Sequence, residues 1–151
     1  MVDTDVYKLS TKNDFYGFEF VSQGTQGDIQ KIIVFSETPV ENLYNLGFGD
    51  KDPITGKVDD LVVSNNGDTD KVLATVANAV FLFTEKNPGF IVFAEGSTPA
   101  RTRLYRMGIQ RYWEDITSFF EVWGFFQNDW EIFIPNRAYQ SFLVRRKNND
   151  I

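Results

Sequence analysis

Apolar residues in the first 64 positions come in short runs, and each run stops at a cluster of Gly, Asp, Asn or Pro. In FYGFEFVS (15–22) the aromatics Phe18 and Phe20 alternate across a charged neighbour. QGTQGD (23–28) is rich in turn-forming residues, and IQKIIVFS (29–36) reads as the second arm of a hairpin. LYNLGFGD (43–50) predicts a further strand, DPITG (52–56) a hairpin loop, and KVDDLVVS (57–64) a strand leading back. Connections this short favour antiparallel pairing.

The period changes after NNGD (65–68). Val72, Leu73, Val76, Ala79, Val80 and Phe83 recur at helical spacing, with Asp68 or Thr69 as the cap and Asn87-Pro88 as the stop. GFIVFAEG (89–96) is apolar enough for a central strand. Thr98 then caps a second helix over 98–112, where Pro99 suits the first turn because no amide donor is needed there. Leu104, Tyr105, Ile109, Tyr112 and Trp113 form its buried or half-buried side, and Gly108 either allows a close helix contact or marks a weakness. The helix stops or kinks before EDITSFF (114–120). EVWGFFQ (121–127) and WEIFIP (130–135) are strands flanking a tight turn at Asn128 and Asp129, and YQSFLVRRK (139–147) is a last strand. Strands, helix, strand, helix, strands is an α+β order of antiparallel sheet and two principal helices. The helices cover one sheet face or sit between two small sheets. One clear strand–helix–strand crossover argues against a doubly wound α/β fold. Residues 1–147 are expected to form a single domain, with 148–151 a frayed tail.

Composition narrows the chemistry. With 42% hydrophobic and 16% aromatic residues in 151, a substantial core is available. The chain has neither Cys nor His. Disulfides, thiolate or imidazole metal sites, thiol catalysis and a Ser-His-Asp triad are therefore excluded. An enzyme on this chain would use carboxylates, Lys, Tyr, Ser or Thr, with a divalent metal. No apolar run approaches the roughly 18 residues of a membrane span, and the start lacks the blocks of a secretory signal. These features, with the missing cysteines, lead to the expectation of a cytoplasmic protein.

The net charge of -6 is unevenly spread: residues 1–97 hold 7 Lys or Arg against 15 Asp or Glu, and residues 98–147 hold 8 against 5. Whole-chain acidity disfavours indiscriminate nucleic-acid binding but leaves room for a local basic face. The stretch GSTPARTRLYR (96–106) is the first candidate for such a face. A helix start there offers free amides and a dipole end to an anion, the Ser97 and Thr98 hydroxyls, and guanidinium forks from Arg101, Arg103 and Arg106. On a regular helix Arg103 and Arg106 are the better surface pair, and Arg101 turns inward. Ion pairing of Arg101 or Arg103 with a carboxylate of the acidic half is the simpler use of these arginines. No glycine-rich phosphate loop and no cofactor motif accompanies them.

Two further clusters merit weighing. Asp59, Asp68 and Asp70 in DDLVVSNNGDTD (59–70) are hard oxygen ligands for Mg²⁺ or Ca²⁺, although helix capping and turn solvation account for them more simply. Trp123, Phe125 and Trp130 lie near Arg137, Arg145 and Arg146 and would stack bases if exposed; core packing is the simpler use.

The blocks YNLGFGD (44–50), DDLVVSNNGDTDKVLATVANAV (59–80), FAEGSTPARTRLYRMGI (93–109) and FLVRRK (142–147) resemble an uncharacterised family of small bacterial proteins known mostly from the Bacteroidetes group. The resemblance spans nearly the whole chain, implies a bacterial cytoplasmic setting and supplies no substrate. In topology alone the order is similar to the single-strand-binding fold of plant transcriptional regulators, without a matching binding motif. Three function classes follow. The first is a non-catalytic domain binding an anion through Ser97, Thr98, Arg101, Arg103 and Arg106. Its partner would be single-stranded nucleic acid, a phosphorylated ligand or an acidic protein. The second is a metal-assisted phosphoryl or nucleotide hydrolase using Asp59, Asp68 and Asp70. The third is a structural or regulatory interaction domain, including a homo-oligomer, with no small-molecule site.

Overall fold

The computed structural model describes residues 5–59 and 65–147. A nine-stranded mixed sheet is covered on one face by helices. Its strands are β1 (Ser10–Lys12), β2 (Gly17–Gly24), β3 (Gly27–Glu37), β4 (Leu43–Lys51), β5 (Val58–Asp59), β6 (Ile91–Ala94), β7 (Phe120–Phe126), β8 (Asp129–Ile132) and β9 (Ser141–Arg146). The helices are α1 (Thr69–Lys86), α2 (Pro99–Arg111) and α3 (Trp113–Phe119). The strand order is β1-β2-β3-β4-β6-β9-β7-β8, with β5 paired to β4. Among the described residues only β4 and β6 run parallel, joined by the crossover through α1, and the other pairs are antiparallel.

The expected hairpin over 15–36 forms, but its strands extend into the predicted turn until Gly24 faces Gly27. Gln127 and Asn128, both at positive φ, make the turn between β7 and β8, so it falls one residue before the expected Asn128-Asp129. β1 arises in a stretch whose polar residues carry no strand signal. Most of the strand expected over 57–64, including Asp60, lies outside the described residues, as does the tail 148–151.

Register explains the core. Phe18 and Phe20 of β2, Ile33 and Phe35 of β3, and Tyr44 and Leu46 of β4 share one face with Val92, Ala94, Phe142, Val122 and Phe120. α1 lays the predicted Val72, Val76, Ala79, Val80 and Phe83 on it; Leu73 is half-buried. The fully buried Phe83 ring stacks on Phe35 at 4.1 Å and meets Tyr16 and Tyr44 edge-on. Gly108 of α2 brings that helix against Leu73 of α1, where a Cβ would stand 3.3 Å from the leucine side chain. Asp68 occupies the cap position of α1 but makes no side-chain cap bond, because its carboxylate accepts from the Tyr7 and Ser22 hydroxyls instead. The alternate positions of the sheet, among them Phe93, Trp123, Phe125, Trp130 and Ile132, face away from α1.

Candidate functional site

The C-terminal end of β6, the start of β9, the end of β7 and the start of β8 meet at one end of the sheet, because Ala94 pairs with Phe142, Ser141 with Phe125 and Phe125 with Trp130. There the chain leaves β6 and turns at once into α2. Gly96 permits the turn: a Cβ would stand 2.3 Å from the Thr102 amide nitrogen. The Gly96 amide donates to Thr102 Oγ1, and that hydroxyl donates to the Thr98 carbonyl. Thr98 caps the helix as predicted, its Oγ1 accepting from the Arg101 amide at 3.2 Å with Pro99 following. The expectation of open amides at this end is thereby reduced, since the helix uses its own cap.

Between the first turns of α2 and this end of the sheet lies an open cleft of about 960 Å³. Arg103 and Arg106 enter it from the helix, Ser97 and Thr98 from the turn, and Phe93, Phe125 and Trp130 from the strands. Two clusters that are separate in the sequence, the arginine helix and the late aromatics, thus line one volume. Among the described residues neither Arg103 nor Arg106 forms an ion pair. The ion pairs described in the acidic half are made mostly by its own lysines: Lys12 and Lys51 on Glu19, Lys31 on Asp50, Lys71 on Asp5 and Lys86 on Asp14. Arg111–Asp70 crosses between the halves.

Arg101 does not join the cleft. Its Nη1 donates to the Phe48 carbonyl at 2.9 Å, and it lines a separate pocket of about 130 Å³ with Lys31 and Asp68. Two residues from Arg103 on a helix, it faces another way. The metal reading is not supported by the geometry. Asp68 is engaged with Tyr7 and Ser22, Asp70 with Arg111, and Asp59 lies in β5 opposite Asp50. Among the described residues no three metal-ligating side chains gather at one point. The late arginines are dispersed as well. Arg145 pairs with Glu121 over Trp123, Arg137 with Glu131 over Phe126, and Arg146 lies under α1, donating to the Phe81 carbonyl.

Sequence reasoning missed Phe93, Glu95, Tyr139 and Ser141 as lining residues. Their signal is positional only, at strand ends that become neighbours through a non-local register. Tyr139 also fixes the cleft floor. Its hydroxyl donates to Glu131 at 2.8 Å and accepts from the Ile134 amide at 2.9 Å. Burial first, and then the Glu131 carboxylate, raise the tyrosine above its ordinary pKa, so it stays a neutral donor. The hydroxyl bond lowers Glu131 below the usual carboxylate value, burial opposes it, and Arg137 adds to the lowering. Burial likewise pushes the Arg146 guanidinium down.

In chemical terms the cleft offers two cations, hydroxyls and exposed ring surface to one ligand, with Glu95 as a carboxylate at its edge. The family model described as a family of unknown function (DUF6934) matches residues 3–147. No curated protein and no solved structure matches the chain. Among the described residues no helix is long and apolar enough to cross a membrane.

Proposed function

We propose that this chain, which belongs to the DUF6934 family of unknown function, is a non-catalytic binding domain that takes a phosphorylated ligand into the cleft beside α2. The observation that carries the reading is the pair Arg103 and Arg106, one turn apart on α2 and facing the cleft with no carboxylate partner among the described residues. A guanidinium is a fork of donors matched to phosphate oxygens. Left without a counter-ion beside an open volume, two such forks favour an anion from solution. The Ser97 and Thr98 hydroxyls line the same cleft and extend its polar side. Arg101, spent on the Phe48 carbonyl, is no part of this site. A bacterial, cytoplasmic setting belongs to the same proposal.

Calorimetric titration with pyrophosphate and ribose 5-phosphate tests it. The double variant Arg103→Ala/Arg106→Ala is expected to lose at least about tenfold in affinity, since hydrogen bonds to charged groups contribute roughly 1.5–3 kcal/mol each. Arg111→Ala, which removes an arginine outside the cleft, controls for net charge and leaves binding in place. Equal affinities for wild type and the double variant would refute the assignment.

Contact with a second copy of the chain is a further reading. It is favoured by Trp130, Ile132 and Ile134, which are exposed on and just beyond the edge strand β8. Light scattering across a concentration series decides it; a constant monomer mass removes it.

A further inference from the structure

We infer that the phosphorylated ligand carries a planar heteroaromatic base, as a nucleotide does, and that the base stacks on Trp130 while its phosphate meets Arg103 and Arg106. This rests on the anion-binding reading above and gives it a ligand class.

The aromatic wall carries the inference. Trp130 is 37% exposed, and it meets Phe125 at 5.2 Å and Phe93 at 6.3 Å between ring centroids. The rings cross at 54° and 75°, so neither phenylalanine lies flat on the indole. Trp123, on the same face of the sheet, is already covered by a cation: Arg145 stands 5.1 Å over its ring. Among the described residues no cation sits over Trp130, Phe125 or Phe93, although two unpaired arginines share their cleft. The stacking surface and the cations are therefore both left to a ligand.

Size and charge point the same way. A cleft of about 960 Å³ greatly exceeds what a phosphate fills and matches the upper range of small-ligand sites. A chain of net charge -6 with two free forks gains little from long-range attraction. A ring stacked on an indole supplies affinity that does not depend on salt, and every base has a face for it. The same chemistry arises from a free nucleotide or from one unit of a single strand.

The test compares ribose 5-phosphate, the nucleoside monophosphates and a short single-stranded oligonucleotide on the intact protein by calorimetry, with indole fluorescence as a second readout. Nucleoside monophosphates are expected to bind about tenfold more tightly than ribose 5-phosphate. Trp130→Ala should erase that difference, so that nucleoside monophosphates and ribose 5-phosphate bind the variant with equal affinity, with circular dichroism confirming the fold. An oligonucleotide that binds more tightly than a mononucleotide, with a steeper salt dependence, identifies the source as a single strand; equal affinities identify a free nucleotide. Equal binding of ribose 5-phosphate and nucleotides by the wild type overturns the inference and leaves the anion-binding proposal standing. Failure of every anion to bind removes both.

Discussion

Glu95 is the only carboxylate lining the cleft among the described residues, and it shares that volume with Arg103 and Arg106. A negative charge there opposes a phosphate across a solvent-filled gap. Glu95→Gln is therefore expected to raise pyrophosphate affinity, on the order of threefold at low ionic strength, with the gain fading as salt screens the interaction. Titrations at two salt concentrations check this; a weaker complex would contradict it. Glu131 answers a different question, that of pH. The Tyr139 hydroxyl lowers its pKa, burial opposes, and Arg137 assists. A depressed carboxylate contributes stability that is complete above its unfolded value, about 4.3, and lost as pH falls through the folded value. Glu131→Gln should flatten the loss of thermal stability below about pH 4.3, read from melting curves across acid pH. Tyr139 has the opposite sign, since its raised pKa contributes stability that disappears only as alkaline pH rises past the ordinary tyrosine value.

At the scale of elements, the strand-to-helix joint from β6 to α2 sets where the arginines stand. Gly96→Ala would bring a Cβ to 2.3 Å from the Thr102 amide nitrogen and 2.6 Å from the Arg101 carbonyl carbon, both backbone atoms that cannot step aside cheaply. The variant is expected to lose about 1–3 kcal/mol in denaturant titration. Because α2 must shift, anion affinity should fall with it, which a surface substitution of equal size would not cause. The joint between α1 and the sheet is apolar and depends on Phe83, stacked against Phe35 and wholly buried. Phe83→Ala should cost about 3–5 kcal/mol, measured by urea unfolding. A loss under 1 kcal/mol would mean that α1 is held by other contacts.

For the whole molecule, the distribution of charge matters more than its total. Lysines of the acidic half neutralise carboxylates of that half, while Arg137 and Arg145 take Glu131 and Glu121 within the C-terminal part. Two cleft arginines remain, so any single-stranded ligand should show a shallow salt dependence. A slope of about -1.4 in log affinity against log salt is expected for two phosphate contacts on a single strand. A slope several times steeper would require a far longer basic track than α2 offers.

Periodicity settled much of this protein by itself. Helical spacing from Val72 to Phe83, the Thr98-Pro99 start, the apolar run of β6 and the short turns are local patterns, and local patterns need no knowledge of distant neighbours. The direction of Arg101 relative to Arg103 is of the same kind, being a matter of helix geometry. Tertiary structure alone decided which partners each charge found and which strand ends met. The parallel pairing of β4 with β6 and the insertion of β9 between β6 and β7 bring Phe93, Phe125 and Trp130 to the same cleft as Arg103 and Arg106. Such pairings join residues tens of positions apart, and many registers satisfy the same apolar alternation until the whole core is packed.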